Sequence, residues 1–196
     1  LDQDSRAGIP GLLEVARHGS GGMVNPLGAG VLENPGLIPF LPRIARQFLG
    51  EELQLESLPT FWCGEPEGLS QVLERLDELV IKRIDRVERS IWGGALAPSE
   101  RELWRERILR DPELYVGQVA AGGATTPALV GGVLEPRGVV TRCFVAAAEE
   151  GFTVMPGGYT RVVDRDELPG AVGSGLRGVC KDTWVVASEQ ERHLIL

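Results

Sequence analysis

Apolar positions along the chain change rhythm near residue 78: helical spacing before it, short apolar runs broken by turn residues after it. Ile9 to Arg17 is predicted as a helix, with Pro10 in its first turn and Leu12, Leu13 and Ala16 on one face. His18-Gly19-Ser20-Gly21-Gly22 breaks it, and Met23-Val24-Asn25 reads as a short buried strand. Pro26-Leu27-Gly28-Ala29-Gly30 then forms a tight turn. A second helix opens with Asn34 as cap and Pro35 at its first position. Leu37, Phe40, Leu41, Ile44, Ala45, Phe48 and Leu49 recur at helical spacing until Gly50 stops it. Glu51 to Pro59 connects to a compact aromatic patch, Thr60-Phe61-Trp62-Cys63-Gly64. Leu69, Val72, Leu73 and Leu76 stripe a further helix between Gly64 and Asp77. The strand, glycine turn and helix predict one unit of an open α/β sheet. Its Gly-x-Gly turn either serves structure alone or holds phosphate on backbone N–H groups. Neither a Walker lysine nor the third glycine of a dinucleotide fingerprint accompanies it.

From residue 78 the pattern is that of strands. Leu79-Val80-Ile81-Lys82 is an apolar run ending in lysine, a fixed point charge of the kind that meets phosphate. A strand that simply ends and lets its lysine reach water has the same pattern. Arg83 to Ser90 is a charged loop or irregular strand, and Ile91-Trp92-Gly93-Gly94 is the return strand of a hairpin. Ser99-Glu100-Arg101-Glu102 reads as a capping box for a helix from Glu100 to Arg110, ended by Asp111-Pro112. Leu114 to Val119 is a strand, and Ala121 to Gly132, rich in Gly, Ala and Thr, reads as a loop. Val139 to Ala147 and Phe152 to Met155 form a hairpin around Glu149-Glu150-Gly151. Pro156-Gly157-Gly158 bends the chain before a strand at Tyr159 to Val163. Asp164 to Gly178 is polar and glycine-rich, and a last strand runs from Thr183 to Ala187. The fold class is therefore α/β followed by α+β, with a unit over residues 1–77 and a second over 78–196.

Composition narrows the function classes. A net charge of −8 and a pI near 4.9 leave no surplus of Lys and Arg for a phosphate backbone, so nucleic acid is not an expected partner. No apolar run is long enough to span a membrane, and none is basic and amphipathic. Cys63, Cys143 and Cys180 are odd in number and widely spaced, which fits reduced thiols in a cytoplasmic setting. His18 and His193 are far apart, which disfavours a histidine metal site or a Ser/His/Asp set. The chain opens on Leu1 and reads as part of a longer protein.

Eight phrases in order resemble the circularly permuted ATP-grasp family, the relatives of glutathionylspermidine synthase. They are Gly11-Leu12-Leu13-Glu14, Asn25-Pro26-Leu27-Gly28-Ala29-Gly30-Val31-Leu32-Glu33, Phe40-Leu41-Pro42, Phe61-Trp62-Cys63-Gly64, Leu79-Val80-Ile81-Lys82, Tyr115-Val116-Gly117-Gln118, Val154-Met155-Pro156-Gly157-Gly158 and Lys181-Asp182-Thr183-Trp184-Val185. The resemblance implies a Rossmann-like unit before the ATP-grasp portion, then an antiparallel lid lobe, with a nucleotide site between lobes. It places Lys82 on ATP phosphates, and Tyr115, Val116 and Gln118 at the adenine pocket. Arg142 matches a phosphate or acyl-phosphate ligand, and Lys181 with Asp182 matches a closing motif of unassigned role. Val119 stands where the family commonly has Glu.

The implied chemistry is ligation. A carboxylate attacks the γ-phosphate of Mg-ATP, an acyl phosphate forms, and an amine displaces phosphate to give an amide. The protein positions the groups and neutralises charge on the transferring phosphoryl. Magnesium needs oxygen ligands, and the family's acidic motif lies upstream of the portion matched here. Glu33-Asn34 is read as cap rather than metal pair, and Glu149-Glu150 as a hairpin turn, so no metal ligand is expected within this chain. After Lys82 the family has Pro and a glycine-rich phosphate-covering loop, whereas this chain has Arg83 and no glycine until Gly93. Arg83, Arg86 and Arg89 either compensate as phosphate ligands or remain solvated. Arg177-Gly178-Val179-Cys180 likewise replaces a run of glycines. Two functional readings follow: part of an ATP-dependent ligase acting on a carboxylate or peptide substrate, or a degenerate module that binds or scaffolds. An unrelated α/β domain is the third reading. A homo-oligomer is an accompanying expectation, through the surface where a missing lobe would dock.

Overall fold

A computed structural model describes residues 10–120, 122–164 and 179–186. Ile9, most of the glycine-rich stretch after Asp164, Arg177-Gly178, Ala187 and His193 lie outside the described residues. Helix α1 (Leu12–His18) ends at Gly19, whose φ of 63° is left-handed. Glu14 pairs one turn on with Arg17 and His18, and no residue of this helix is buried. The strand expected at Met23–Asn25 does not form. Val24 is 94% exposed, and Asn25 takes a left-handed φ of 59° that no strand accommodates. The α/β unit expected from that strand has no strand of its own among the described residues before Thr60.

Two 3₁₀ turns follow, Ala29–Glu33 and Pro35–Phe40, and then α2 (Leu41–Leu49). Asn34 caps as expected, its Oδ1 accepting from the Gly36 N–H at 2.7 Å. The single helix expected from Pro35 is split because Pro39 lacks the N–H that an α-helical turn needs. Gly50, at φ 69°, ends α2.

The first sheet joins β1 (Thr60–Trp62), β2 (Leu79–Arg83), β3 (Ile91–Trp92) and β4 (Tyr115–Val119). Its order is β1–β4–β2–β3, and every pairing is antiparallel. Alternation sends Leu79, Ile81 and Tyr115 to one face, where they meet Val72 and Leu76 from the α3 segment (helix Pro66–Glu74) and Ile108 from α4 (Pro98–Arg110). These residues and Cys63 form the core. Two glycines make the packing close: a Cβ on Gly93 would sit 1.7 Å from the Leu76 carbonyl oxygen, and one on Gly68 2.1 Å from that of Trp62. Helix α4 begins at Pro98 rather than Glu100. Ser99 is inside the helix, and the Glu100 carboxylate accepts from the Ala97 N–H at 2.8 Å. On the other face of the sheet, the Pro35–Phe40 turn packs against β1 and β4, with Phe40 edge-on to Trp62.

The second sheet is β5 (Thr125–Val130), β6 (Val133–Ala147), β7 (Phe152–Val163) and β8 (Val179–Trp184), in that order and antiparallel throughout. Its first strand lies where a loop was expected. Gly131 and Gly132, at φ 57° and 88°, supply the tight turn that pairs Val130 with Val133. Pro127 is accommodated because β5 is an edge strand. Pro156-Gly157-Gly158 does not interrupt β7, since a register shift between Cys143 and Val145 absorbs the extra residues as a bulge. The last strand starts earlier than expected, at Val179. Lys181 of β8 donates to Thr126 Oγ1 and the Pro127 carbonyl of β5. The two edge strands thus meet across the sheet, which curls into a half-barrel.

Candidate functional site

The face of the first sheet away from α3 and α4 carries Thr60, Val80, Lys82, Val116 and Gln118. Register brings them together: Gln118 lies opposite both Thr60 and Val80, and Lys82 opposite Val116. Val80 and Val116 are buried, and between them runs a relay of polar groups. The Lys82 ammonium donates to Gln118 Oε1 at 2.7 Å. Gln118 Nε2 donates to Thr60 Oγ1 at 2.9 Å, and the Thr60 hydroxyl donates to the Leu58 carbonyl at 2.8 Å. The Gln118 oxygen accepts on one side and its nitrogen donates on the other, so the orientation of the amide is fixed by its two neighbours.

Burial holds the Lys82 ammonium below its ordinary range. Its hydrogen-bond acceptor, Gln118, is neutral, and no carboxylate among the described residues pairs with it. A partly buried cation without an acid beside it is suited to an exogenous anion. Beside Thr60, at the other end of the relay, is a cavity of about 620 Å³ bordered by Ile38, Pro39, Pro42, Leu58, Pro59 and Phe61.

The loop after Lys82 is engaged with itself. Arg83 holds Asp85 at 2.9 and 2.5 Å, which keeps that carboxyl below its usual range, and reaches Glu88 at 3.8 Å. Glu88 also faces Arg107 of α4 at 3.6 Å. Arg86 pairs with Glu33 and sits at φ 59°, in the left-handed region. Arg89 is exposed, with no partner among the described residues.

The other candidates lie elsewhere. Tyr115 points to the opposite face from Lys82, buried against Trp104 with the Arg83 guanidinium 5.7 Å from its ring centre. Val119 is on that same side, packed on the apolar core, where a Glu would be desolvated. Arg142 is exposed on β6, on the face of the second sheet that carries Tyr159 and Asp182. Lys181 is on the other, concave face, aligned with Thr160 and Thr141. The structure therefore brings together Lys82, Val116 and Gln118, and separates Arg142 from Lys181. Thr60 is the member that residue-by-residue reading passed over. Alternation within Thr60-Phe61-Trp62 was its signal, since a buried aromatic at the middle position sends Thr60 to the polar face. No group of three or more His, Cys, Asp or Glu able to hold a metal is present among the described residues. These residues do not fit a magnesium site.

Residues 1–163 match the circularly permuted ATP-grasp type 2 family. The chain belongs to this family. It is 34% identical over 185 residues to an uncharacterised protein of Synechocystis sp., covering 93% of this chain and 38% of that protein. It is 35% identical over 191 residues to an uncharacterised protein of Mycobacterium tuberculosis, covering 97% of this chain and 21% of that one. It is also 35% identical over 178 residues to a Frankia alni protein named "Putative glutamate--cysteine ligase 2-3", covering 90% and 20% respectively. The ATP-grasp chain thus spans between about a fifth and two fifths of the length of these relatives. No helix among its described residues is long and apolar enough to cross a membrane.

Proposed function

We propose that this ATP-grasp chain is part of an ATP-dependent carboxylate–amine ligase and supplies part of its nucleotide site. One observation carries the reading. Lys82 is a partly buried cation on a central strand, oriented by Gln118 and Thr60 and with no acid partner among the described residues. In this role Lys82 neutralises ATP phosphates. Val116 and Gln118 border the adenine, with Tyr115 next to them on β4 turned into the core, and Arg142 is a further cation from the second sheet. The residue 77/78 division is kept as the boundary between a leading unit and the ATP-grasp lobe, with β1 contributing to the lobe's sheet from before it. The Frankia relative's name supports amino-acid substrates. A substrate carboxylate would be phosphorylated by ATP, and an amine would then expel phosphate to form the amide. Magnesium carboxylates would come from the part of the relatives' length beyond this match. Free Cys63, Cys143 and Cys180 support a reducing, cytoplasmic setting.

A second reading is a degenerate module that binds or scaffolds without turnover. It is favoured by the loop after Lys82, in which Arg83 and Arg86 are already committed to acids. Calorimetric titration of the full-length protein with Mg-ATP separates the two. The ligase reading expects binding that Lys82→Ala weakens at least about ten-fold, or 1.4 kcal/mol. Absence of binding heat in the unaltered protein would remove it.

A further inference from the structure

The concave face of the second sheet carries a half-open cavity of about 570 Å³, within the size range of small-ligand sites. Its walls are mostly apolar, from Ala128, Leu129, Val130, Val162, Val163 and Val179. Among them stand three charged groups. Arg137 is already satisfied by two carboxylates, Glu135 at 2.9 Å and Asp164. Lys181 is different, because its contacts are neutral oxygens: Thr126 Oγ1 at 3.1 Å and the Pro127 carbonyl at 2.7 Å. An ammonium has three N–H donors, so one remains to face the cavity. The two bonds also fix where it points, because they tie β8 to β5 across the curl.

The geometry points to this cavity as a binding site for a small carboxylate with an aliphatic body. One remaining N–H donor on a cation with no acid partner among the described residues suits a single negative charge, whereas a polyphosphate needs several donors. The valine, leucine and alanine walls account for the aliphatic part, each buried methylene contributing about 0.8 kcal/mol. Inorganic phosphate offers charge without a body, and an alkylamine offers the body with the wrong charge. Its lining comes from the second sheet, whereas Lys82 lies on the first. That the carboxylate is the ligase substrate rests on the proposed function; the pocket itself does not.

The test is titration of the full-length protein with hexanoate, acetate, hexylamine and inorganic phosphate, followed by calorimetry or by amide chemical shifts. Hexanoate is expected to bind at least about ten-fold more tightly than acetate, and more tightly than hexylamine or phosphate. Lys181→Met is expected to weaken hexanoate about ten-fold, and Lys181→Arg to retain most of it. Ala128→Trp, which fills the cavity without touching the charge, is expected to abolish it. Equal binding of hexanoate and hexylamine overturns the assignment, as does indifference to both Lys181→Met and Ala128→Trp. A parallel Mg-ATP titration keeps the two readings distinct. Hexanoate binding without ATP binding removes the ligase reading and the substrate role but leaves the site, whereas ATP binding without hexanoate binding does the reverse.

Discussion

The Lys82–Gln118–Thr60 relay makes a quantitative prediction about coupling. In Gln118→Leu, the Lys82 ammonium loses the acceptor it holds at 2.7 Å, and Thr60 loses a donor at 2.9 Å. A hydrogen bond to a charged group contributes about 1.5–3 kcal/mol, and a neutral one about 1 kcal/mol. Thr60 keeps its own bond to Leu58, and Leu adds apolar contact beside Val80 and Val116, so the net loss is placed at about 2 kcal/mol. Lys82→Met alone removes the cost of burying the charge but strands Gln118 Oε1 in a residue only 5% exposed; its cost is placed at about 1–2 kcal/mol. In the double variant neither end is stranded, so the two losses are not additive. The coupling should be about 1–2 kcal/mol, read from urea midpoints of the wild type, both single variants and the double. Titration gives a second check. Burial lowers the Lys82 pKa in the folded state, so the unfolded chain binds the proton more tightly. The Lys82 contribution to stability therefore rises with pH from the lowered folded pKa up to the unfolded value of 10.5, and reads out as the difference between the wild type and Lys82→Met across that range. Losses that simply add within about 0.3 kcal/mol would refute the relay as an energetic unit.

Two further predictions concern the core. The Cys63 thiol is 2% exposed, and burial pushes its pKa up to about 12; it should resist alkylation near neutral pH while exposed Cys143 and Cys180 react, and equal labelling of all three by mass spectrometry would contradict this. Because the folded state holds that proton more tightly, the associated stability is complete below pH 9.0 and is lost as pH rises through about 12, which a Cys63→Ala comparison should show as a shallower alkaline decline. Gly93→Ala places a methyl 1.7 Å from the Leu76 carbonyl oxygen and should cost about 3 kcal/mol or more, whereas Gly122→Ala meets nothing within 4 Å and should be near neutral in the same urea experiment.

The first sheet was legible wherever local pattern and tertiary role agreed. Leu79–Lys82 and Ile91–Trp92 are strands by composition and by pairing, and Val72 and Leu76 are core residues from the expected helical stripe. The misreadings have identifiable causes. Met23-Val24-Asn25 has the composition of a strand but no partner strand among the described residues, and composition alone does not satisfy a backbone N–H. Thr125–Val130 has the composition of a loop, yet Gly131 and Gly132 fold it onto β6, so pairing overrode propensity. Ser99 offered a capping hydroxyl one turn position too late, and Pro98 claimed the helix start. At the candidate site, Lys82 stood out as the end of an apolar run, and Gln118 entered only through the family resemblance. Their contact is a diagonal across β2 and β4, separated by 36 positions in the chain, and only register places them on one face. Thr60, a further strand away, depends on the same register.

The backbone at Arg86 bears on how this lobe relates to its family. At φ 59° the residue occupies a conformation that costs a side-chain-bearing residue roughly 1 kcal/mol and costs glycine nothing. The loop thus takes, at one position, a backbone shape that glycine permits, with a side chain in place there. Chain path and loop chemistry have come apart: the path remains open to a glycine, and the present occupant is held in place by its ion pair with Glu33. A change at either end of that ion pair acts on the loop's shape, even though Glu33 belongs to a 3₁₀ turn far earlier in the chain.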